Sequence, residues 1–190
     1  LPMEDGSVTV ARVANTVTYP AKFMLVGAMN PCPCGHFTDP KRECHCSPFK
    51  IQSYLSKISG PLLDRIDIHL EVPRLKYEHL TDKRRGEPSE EIRKRVDKAR
   101  EVQKNRYKKD GVIFNAHLES KELERYCALD KEAEELLKLA ILELGISARA
   151  YDKILKVSRT IADLDGKETI EAHHISEAIS YRSLDRNLWG

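Results

Sequence analysis

The sequence has none of the features that a membrane-spanning or exported protein needs. Nowhere do eighteen apolar residues run together, and no charged, apolar and small-residue signal segment opens the chain. We therefore expect a cytoplasmic protein without membrane contact. The first residue is Leu1 rather than methionine, and residues 1–6 look like the end of a helix and its turn. We accordingly expect this chain to be a piece of a larger protein.

The motifs with which many enzymes hold nucleotide phosphates are also missing. No Gly-x-x-x-x-Gly-Lys-[Ser/Thr] run occurs, and no apolar strand ends in paired acidic residues. A phosphate cradle and magnesium-binding acids are therefore not expected in this chain. Alone, the chain should neither bind ATP tightly nor hydrolyse it.

What the sequence does contain is the composition of a globular protein with an uneven charge distribution. Its 190 residues are 41% hydrophobic and 33% charged, enough for one domain or two small ones. Residues 74–110 hold fourteen basic against eight acidic residues, whereas residues 111–147 hold four against eight. This pattern fits solvated helices that pack against complementary neighbours, and it equally fits a nucleic-acid footprint.

Residues 1–73 have the pattern of half an α/β sheet. Short β-rich runs at 8–10 and 16–19 predict a hairpin. The continuously apolar run Phe23–Met29 predicts a central strand buried on both faces. A short helix is expected at 49–58, and the alternation in Ile66–Val72 predicts another strand.

After a charged linker at 74–88, residues 89–190 predict a helical bundle. Ser89 is expected to cap the first helix, which ends before Gly111. The clearest amphipathic stripe predicts a helix over Asp130–Leu144. Ser147 is expected to cap the next helix, and a last one covers about 172–181.

Four cysteines lie close together in a loop at residues 31–47 that is rich in proline. They form two Cys-x-Cys pairs, namely Cys32 with Cys34 and Cys44 with Cys46. Four thiolates can bind a structural Zn²⁺, which would replace a core in so short a loop. A full sulfur set leaves no open position for catalysis, although His36 or His45 could replace one sulfur. Disulfides are the alternative, disfavoured without an export signal.

The fifth cysteine, Cys127, lies alone in a helical segment. A free cysteine is usually a small buried residue, and this one is given no functional role.

Several blocks of the chain resemble the ComM-type (YifB-like), magnesium-chelatase-like branch of the AAA+ ATPases. The blocks are Ala28-Met29-Asn30-Pro31-Cys32-Pro33-Cys34-Gly35, Gly60-Pro61-Leu62-Leu63-Asp64-Arg65-Ile66-Asp67, Ser147-Ala148-Arg149-Ala150-Tyr151, Ser158-Arg159-Thr160-Ile161-Ala162-Asp163-Leu164 and Leu184-Asp185-Arg186. The resemblance implies an α/β plus all-α fold. Residues 1–73 would be the C-terminal half of an AAA+ core with its zinc loop, and residues 89–190 its helical lid.

The same resemblance assigns roles to four residues. Asn30 matches sensor 1, Arg65 the arginine finger that acts in trans, and Arg149 the nucleotide-contacting sensor 2. Arg12 lies near the tip of a hairpin that in DNA-handling relatives faces the central channel. Each has a plainer interpretation. Asn30 could be a turn residue, and Arg65 could be a local partner of Asp64 or Asp67. Arg149 could be an exposed structural residue, and the hairpin with Arg12 could be a plain edge hairpin.

Independently of the resemblance, Arg149 falls in the first turn of its helix, where a cation is disfavoured unless an anion binds there. Arg159, further along the same helix, is expected at the surface or in a salt bridge.

For the intact protein, the resemblance implies a DNA-dependent ATP hydrolase that binds ATP and Mg²⁺. Its subunits would form a ring, typically a hexamer, and act on DNA as a helicase or translocase promoting branch migration in natural transformation. Two other functions stay open. One is a chelatase-type motor that drives metal insertion, and the other is a zinc-stapled interaction module.

Overall fold

The computed structural model describes residues 2–12, 15–73 and 86–182. The chain divides into two compact units between Arg65 and Ile66, and each is described by itself. Among the described residues, no helix is both long and apolar enough to cross a bilayer. The predicted linker at 74–88 falls mostly outside the described residues, so the domain boundaries predicted around it remain predictions.

The first unit begins with a short helix and the predicted hairpin. Helix α1 (Pro2–Asp5) ends at Gly6, whose φ of 60° is readily adopted only by glycine. Strands β1 (Ser7–Ala11) and β2 (Thr16–Pro20) then pair antiparallel. Because side chains alternate along a strand, one face carries the apolar pairs and the other carries threonines. The paired residues on the apolar face are Val8 with Tyr19 and Val10 with Val17.

The central strand predicted for Phe23–Met29 does not form. Residues 21–30 have no regular secondary structure, and Met24 and Val26 are 87% and 82% exposed. A strand that is buried on both faces needs hydrogen-bonded neighbours along both edges. Within the described residues the one sheet is the two-stranded hairpin, which does not extend to this segment. The prediction of a buried central strand is therefore wrong for the described residues.

Two short helices follow the cysteine loop. Helix α2 (Pro48–Leu55) confirms the helix expected at 49–58, and Ser47 caps it by accepting a hydrogen bond from Lys50 N at 3.3 Å. Helix α3 (Gly60–Leu63) was not predicted. It places Arg65 directly after its last turn.

The second unit is the predicted helical bundle. Its elements are α4 (Ser89–Arg106), a 3₁₀ turn (Asn115–His117), α5 (Ser120–Tyr126), α6 (Lys131–Leu144), α7 (Ala148–Asp165) and α8 (Ala172–Ser180). Helix α7 packs against α4, α5 and α8, and α6 packs against α8. The core consists of Tyr107, Leu118, Leu123, Cys127, Ala133, Leu137, Ile154, Leu155, Ala162, Ile170, Ile175 and Ala178.

Capping explains most of the helix boundaries in this unit. Asp130 caps α6 by accepting the Ala133 N–H at 2.7 Å, and Ser147 caps α7 by accepting the Ala150 N–H at 3.1 Å. Gly145 and Gly166 end these helices with φ of 62° and 74°. The cap predicted at Ser89 is wrong by one residue: Pro88 occupies that position, and Ser89 is the first helical residue.

The strand predicted for Ile66–Val72 does not form either. This segment lacks regular structure, and its alternation is only partly reflected in burial, with His69 buried and Leu70 exposed. Instead of pairing with another strand, residues 66–69 make individual contacts with the helical unit. The His69 N–H donates to Tyr181 O at 2.6 Å, for example.

Candidate metal centre and nucleotide-contact residues

The four cysteines of the 31–47 loop converge on one point. Their sulfur atoms all lie within 4.8 Å of one another. The Sγ atom of Cys32 lies 3.3 Å from that of Cys34 and 3.7 Å from that of Cys44, and Cys34 and Cys44 are 3.6 Å apart. In a tetrahedral Zn²⁺ site with Zn–S bonds of ~2.3 Å, neighbouring sulfurs would lie ~3.8 Å apart. The cluster therefore has nearly the geometry of a four-sulfur zinc site.

Backbone amides near Cys32 and Cys34 favour the thiolate form of these two cysteines, whereas the pKa values of Cys44 and Cys46 are raised. Burial alone would raise the pKa of Cys32, but hydrogen bonds from Cys34 and from the Phe37 and His36 amides lower it to about 6. The His36 amide also lowers the pKa of Cys34. Because the thiolate is the form that binds metal, the loop favours metal ligation at two of its sulfurs.

The neighbouring histidines are not needed to complete the set. The group of potential ligands contains the four cysteines alone, and His36 Nδ1 lies 3.9 Å from Asp39 Oδ2 instead. All four cysteines are free, so the structure contains no disulfide among them. The donor set fits a closed structural zinc site, with Cys32 fully buried at its base.

Asn30 lies beside this loop. A Cβ atom on residue 35 would lie 3.8 Å from the Cγ of Asn30, so its amide sits directly against Gly35. Gly35 has a φ of 78°, and its N–H donates to Cys32 O at 3.0 Å. The residue predicted as sensor 1 and the predicted metal centre are thus neighbours, which the sequence spacing alone did not establish.

Arg65 follows α3 and is half-buried. Its Nη1 donates to Pro61 O at 2.6 Å, which holds the guanidinium against the last turn of its own helix. Of the two local acidic partners considered from the sequence, Asp64 and Asp67, Asp67 forms an ion pair with Lys153 at 2.5 Å.

Arg149 occupies the first turn of α7 and is exposed. That turn contains no acidic residue, and the positive end of the helix dipole lies beside the guanidinium. The two positive charges make this turn suited to an anion such as a phosphate group. Arg12, at the end of β1, is also exposed, and its backbone pairs with Asn15 across the hairpin tip.

Arg159 departs from the expectation of an ordinary surface position. It is fully buried, and its Nε donates to Asp163 Oδ1 at 3.1 Å. Its other nitrogens donate to the carbonyls of Glu168 and Lys167 at 2.5 Å each. The salt-bridge interpretation is thus confirmed and the surface one is wrong, because the guanidinium satisfies backbone carbonyls just beyond the end of α7.

Asp163 is the centre of a buried polar network that the sequence did not reveal. Arg106 of α4 donates to both of its carboxylate oxygens, at 3.0 and 2.5 Å. Asn115 donates to Asp163 Oδ2 at 2.9 Å and accepts from Tyr107 Oη at 2.6 Å. The one available signal was the Arg159–Asp163 spacing of four residues within an apolar helix stripe. The network ties α4 and the 3₁₀ turn to α7.

A second group of potential ligands consists of Asp165, His173 and His174. His174 is buried, and its Nδ1 accepts the Glu171 N–H at 2.9 Å. A neutral imidazole with an accepting Nδ1 carries its proton on Nε2, which faces Asp165 at 3.4 Å. With that proton in place, Nε2 has no lone pair for a metal. His174 therefore acts in the capping box of α8 with Glu171.

Comparisons with known proteins cover nearly the whole chain. The family described as magnesium chelatase, subunit ChlI, matches residues 1–80, and the family described as its C-terminal part matches residues 86–182. The Competence protein ComM of Haemophilus influenzae is 45% identical over 98% of this chain. YifB of Escherichia coli is 41% identical over 98%, and a protein of Mycobacterium tuberculosis is 35% identical over 95%. The chain spans only 35–36% of the length of these relatives.

Proposed function

The chain belongs to the magnesium chelatase ChlI family, and from that membership we propose that it is the C-terminal part of a ring-forming, DNA-translocating AAA+ ATPase. Membership of an AAA+-type ATPase family follows from the two family matches and the ComM relative. The assignment to DNA, to a hexameric ring and to branch migration is our proposal. It is supported by the name of the competence relative and by the residues described below.

The observation that carries the proposal is the position of Arg149. An exposed cation in the first turn of α7, without any acidic neighbour in that turn, leaves a site where an anion would be stabilised. A nucleotide phosphate bound in the same subunit supplies that anion. We assign Arg149 as the sensor-2 residue on this basis.

Arg65 would act on the nucleotide of the neighbouring subunit. An arginine that reaches a transferring phosphoryl group neutralises the charge that develops on its oxygens. In this structure the hydrogen bond from Arg65 Nη1 to Pro61 O holds the guanidinium near the end of α3. Asn30 would orient the attacking water through its amide.

The cysteine cluster would hold a structural Zn²⁺ beside Asn30. Bound zinc would tie Cys32 and Cys34 to Cys44 and Cys46, and so fix the loop that packs against Asn30 through Gly35. Zinc would therefore act by ordering the loop and would take no direct part in hydrolysis. ATP and Mg²⁺ belong to the intact protein.

The hairpin would be the part that contacts DNA. Its tip carries Arg12, and its threonine face, where Thr9 and Thr18 hydroxyls lie 2.9 Å apart, is exposed. Arginine and hydroxyl groups are typical donors to phosphate oxygens. Arg12 is accordingly our candidate for DNA contact.

The decisive experiment measures ATP hydrolysis by the full-length protein with and without forked DNA. We expect DNA to stimulate the wild type, and Arg65→Ala and Arg149→Ala to reduce that stimulated turnover to a small but measurable residual rate. Arg125→Ala, which removes an exposed arginine paired with Asp110, is the matched control and should behave like the wild type. A rate of ATP hydrolysis that depends on neither DNA nor Arg65 would favour a chelatase-type motor.

Mixing the two variants tests whether Arg65 acts across a subunit interface. An Arg65→Ala subunit retains Arg149, and an Arg149→Ala subunit retains Arg65. In a randomly mixed ring, about a quarter of the interfaces would combine both intact residues, so about a quarter of wild-type turnover should return. If Arg65 acted within its own subunit, mixing would restore nothing.

Metal analysis in reducing buffer tests the zinc site. We expect one zinc per chain, with Cys34→Ser reducing the zinc content and Cys127→Ser, the matched control, leaving it unchanged. A metal-free protein with four reactive loop thiols would contradict the assignment.

A further inference from the structure

Three contacts fasten residues 66–69 to the helical unit. Arg182 Nη1 donates to Ile66 O at 2.8 Å, and Lys153 Nζ donates to Asp67 Oδ1 at 2.5 Å. The backbone N–H of His69 donates to Tyr181 O at 2.6 Å. The segment is thus held by α7, which carries Lys153, and by the turn after α8, which carries Tyr181 and Arg182.

These contacts differ in strength. Arg182 is 5% exposed and His69 is 4% exposed, so their hydrogen bonds are shielded from water. The Asp67 carboxylate is 57% exposed, and an ion pair at such a position stabilises only weakly. Arg182 and the His69 amide therefore anchor the segment, and the Lys153–Asp67 pair sets its position against α7.

The anchored segment and its partner on α7 are each close in sequence to one of the candidate nucleotide-contact arginines. Arg65 directly precedes Ile66, so their Cα atoms are one step of ~3.8 Å apart. Lys153 follows Arg149 by four residues, which is one helical turn and a rise of ~6 Å along α7. A single ion pair therefore links the helix that carries sensor 2 to the segment that follows the arginine finger.

Another ion pair near α7 provides a comparison. Lys167 Nζ lies 2.9 Å from Glu171 Oε1, just after the C-terminal end of α7. It is also partly exposed, but it is near neither Arg65 nor Arg149 in the sequence. A general stabilising role would apply to both pairs, whereas a positioning role applies only to Lys153–Asp67.

We propose that Asp67, Lys153 and Arg182 are positioning residues, which couple a movement of the sensor-2 helix to the position of the arginine finger. When Arg149 engages the nucleotide of its own subunit, a shift of α7 would move the 66–69 segment and so place Arg65 at the neighbouring subunit's nucleotide. This inference rests on the proposed function of Arg65 and Arg149. Its consequence is that neighbouring ATP sites are coupled through the contacts that hold residues 66–69 to Lys153 and Arg182.

The test uses the full-length protein in DNA-stimulated ATP hydrolysis. Asp67→Asn and Lys153→Met should each lower kcat by about two- to fivefold, as expected for a partly exposed ion pair, and leave KM for ATP unchanged. The exchanged pair Asp67→Lys with Lys153→Asp should recover most of the turnover. Lys167→Met is the matched control and should keep the wild-type kcat.

Arg182→Ala provides a second variant with a larger expected effect. It removes a shielded charged hydrogen bond, so kcat should fall by about tenfold. Unchanged helix content by circular dichroism would confirm that the variant is folded.

The Arg65→Ala background separates positioning from simple stabilisation. If Asp67 acts only through Arg65, then Asp67→Asn should cause no further loss of kcat in that background. A further loss there, a raised KM, or failure of the exchanged pair to recover turnover would overturn the coupling while leaving the proposed function intact. Wild-type turnover by Arg65→Ala itself would instead remove the proposed role of Arg65, and the coupling with it.

Discussion

At the residue scale, Asp163 combines deep burial with several charged partners. It is 3% exposed and accepts hydrogen bonds from Arg106, Arg159 and Asn115. Removing the carboxylate leaves the buried guanidinium of Arg159 and the mostly buried one of Arg106 without their shared counter-charge. Breaking a buried ion pair in this way costs about 3–5 kcal/mol. We expect Asp163→Ala to lower the free energy of unfolding by that amount.

Urea unfolding, monitored by far-ultraviolet circular dichroism, tests this expectation because α4–α8 supply most of the helical signal. Asp110→Ala is the control, since Asp110 pairs with the exposed Arg125 and should contribute less than about 1 kcal/mol. If both variants lost the same small amount, the network around Asp163 would have no special role in stability.

The burial of the Cys127 thiol leads to a prediction about the free energy of unfolding at alkaline pH. Burial raises the pKa of Cys127 to about 11, although nearby Arg159 and Arg106 act to lower it. The unfolded chain ionises this thiol at a pH of about 8.5, so the stabilisation is present below that pH and is lost as pH rises towards 11. A shift of this size corresponds to about 2–3 kcal/mol.

We therefore expect the wild type to lose about 2 kcal/mol more unfolding free energy than Cys127→Ala between pH 7 and pH 10.5. Other groups titrate in both proteins, so the difference between the two curves isolates Cys127. Parallel curves would mean that the thiol is already ionised, or equally solvated, in the folded protein.

At the scale of single elements, two serines that looked alike in the sequence have different roles. Ser147 Oγ accepts the Ala150 N–H at 3.1 Å and caps α7, whereas Ser89 is the first helical residue of α4 and makes no cap. Ser147→Ala should lower the free energy of unfolding by about 1 kcal/mol, and Ser89→Ala should change it by less than about 0.5 kcal/mol. Equal losses in thermal or urea unfolding would contradict this assignment.

The sequence predicted elements well where local interactions define them. The boundaries of α6, α7 and α8 follow from capping residues and amphipathic stripes within each segment. The strands expected at Phe23–Met29 and Ile66–Val72 did not form, because a strand depends on partners that a local pattern does not specify. Helices α3 and α5 were missed because four and seven residues are too short for a clear period.

The features of the candidate site also differ in whether local sequence or the folded structure determines them. Chain proximity brought the four cysteines together as predicted, since two Cys-x-Cys pairs lie in one short loop. The contact of Asn30 with Gly35 and the pairing of Asp67 with Lys153 depend on folded geometry. The network around Asp163 was missed because charged residues on a helix ordinarily face solvent.

At the scale of the whole molecule, the described residues leave an apolar segment exposed. Residues 23–26 are all apolar and all more than half exposed, and Met24 and Val26 are more than four-fifths exposed. The curated relatives are nearly three times as long as this chain, since the match spans 36% of ComM. We propose that, in a protein of the relatives' length, this segment lies at the centre of a sheet completed by residues outside this chain.

That proposal predicts opposite responses to one substitution in two settings. Met24→Lys should change the stability of the 190-residue chain by less than about 0.5 kcal/mol, because the side chain is already in water. In a protein of the relatives' length, the same change would bury a charge and should cost about 3 kcal/mol or more. Gln52→Lys on α2, an exposed polar position, is the control in both proteins. If both proteins tolerated Met24→Lys equally, the segment would be exposed in the protein of the relatives' length as well. Asn30 and the cysteine loop would then follow an unpaired segment rather than a central strand.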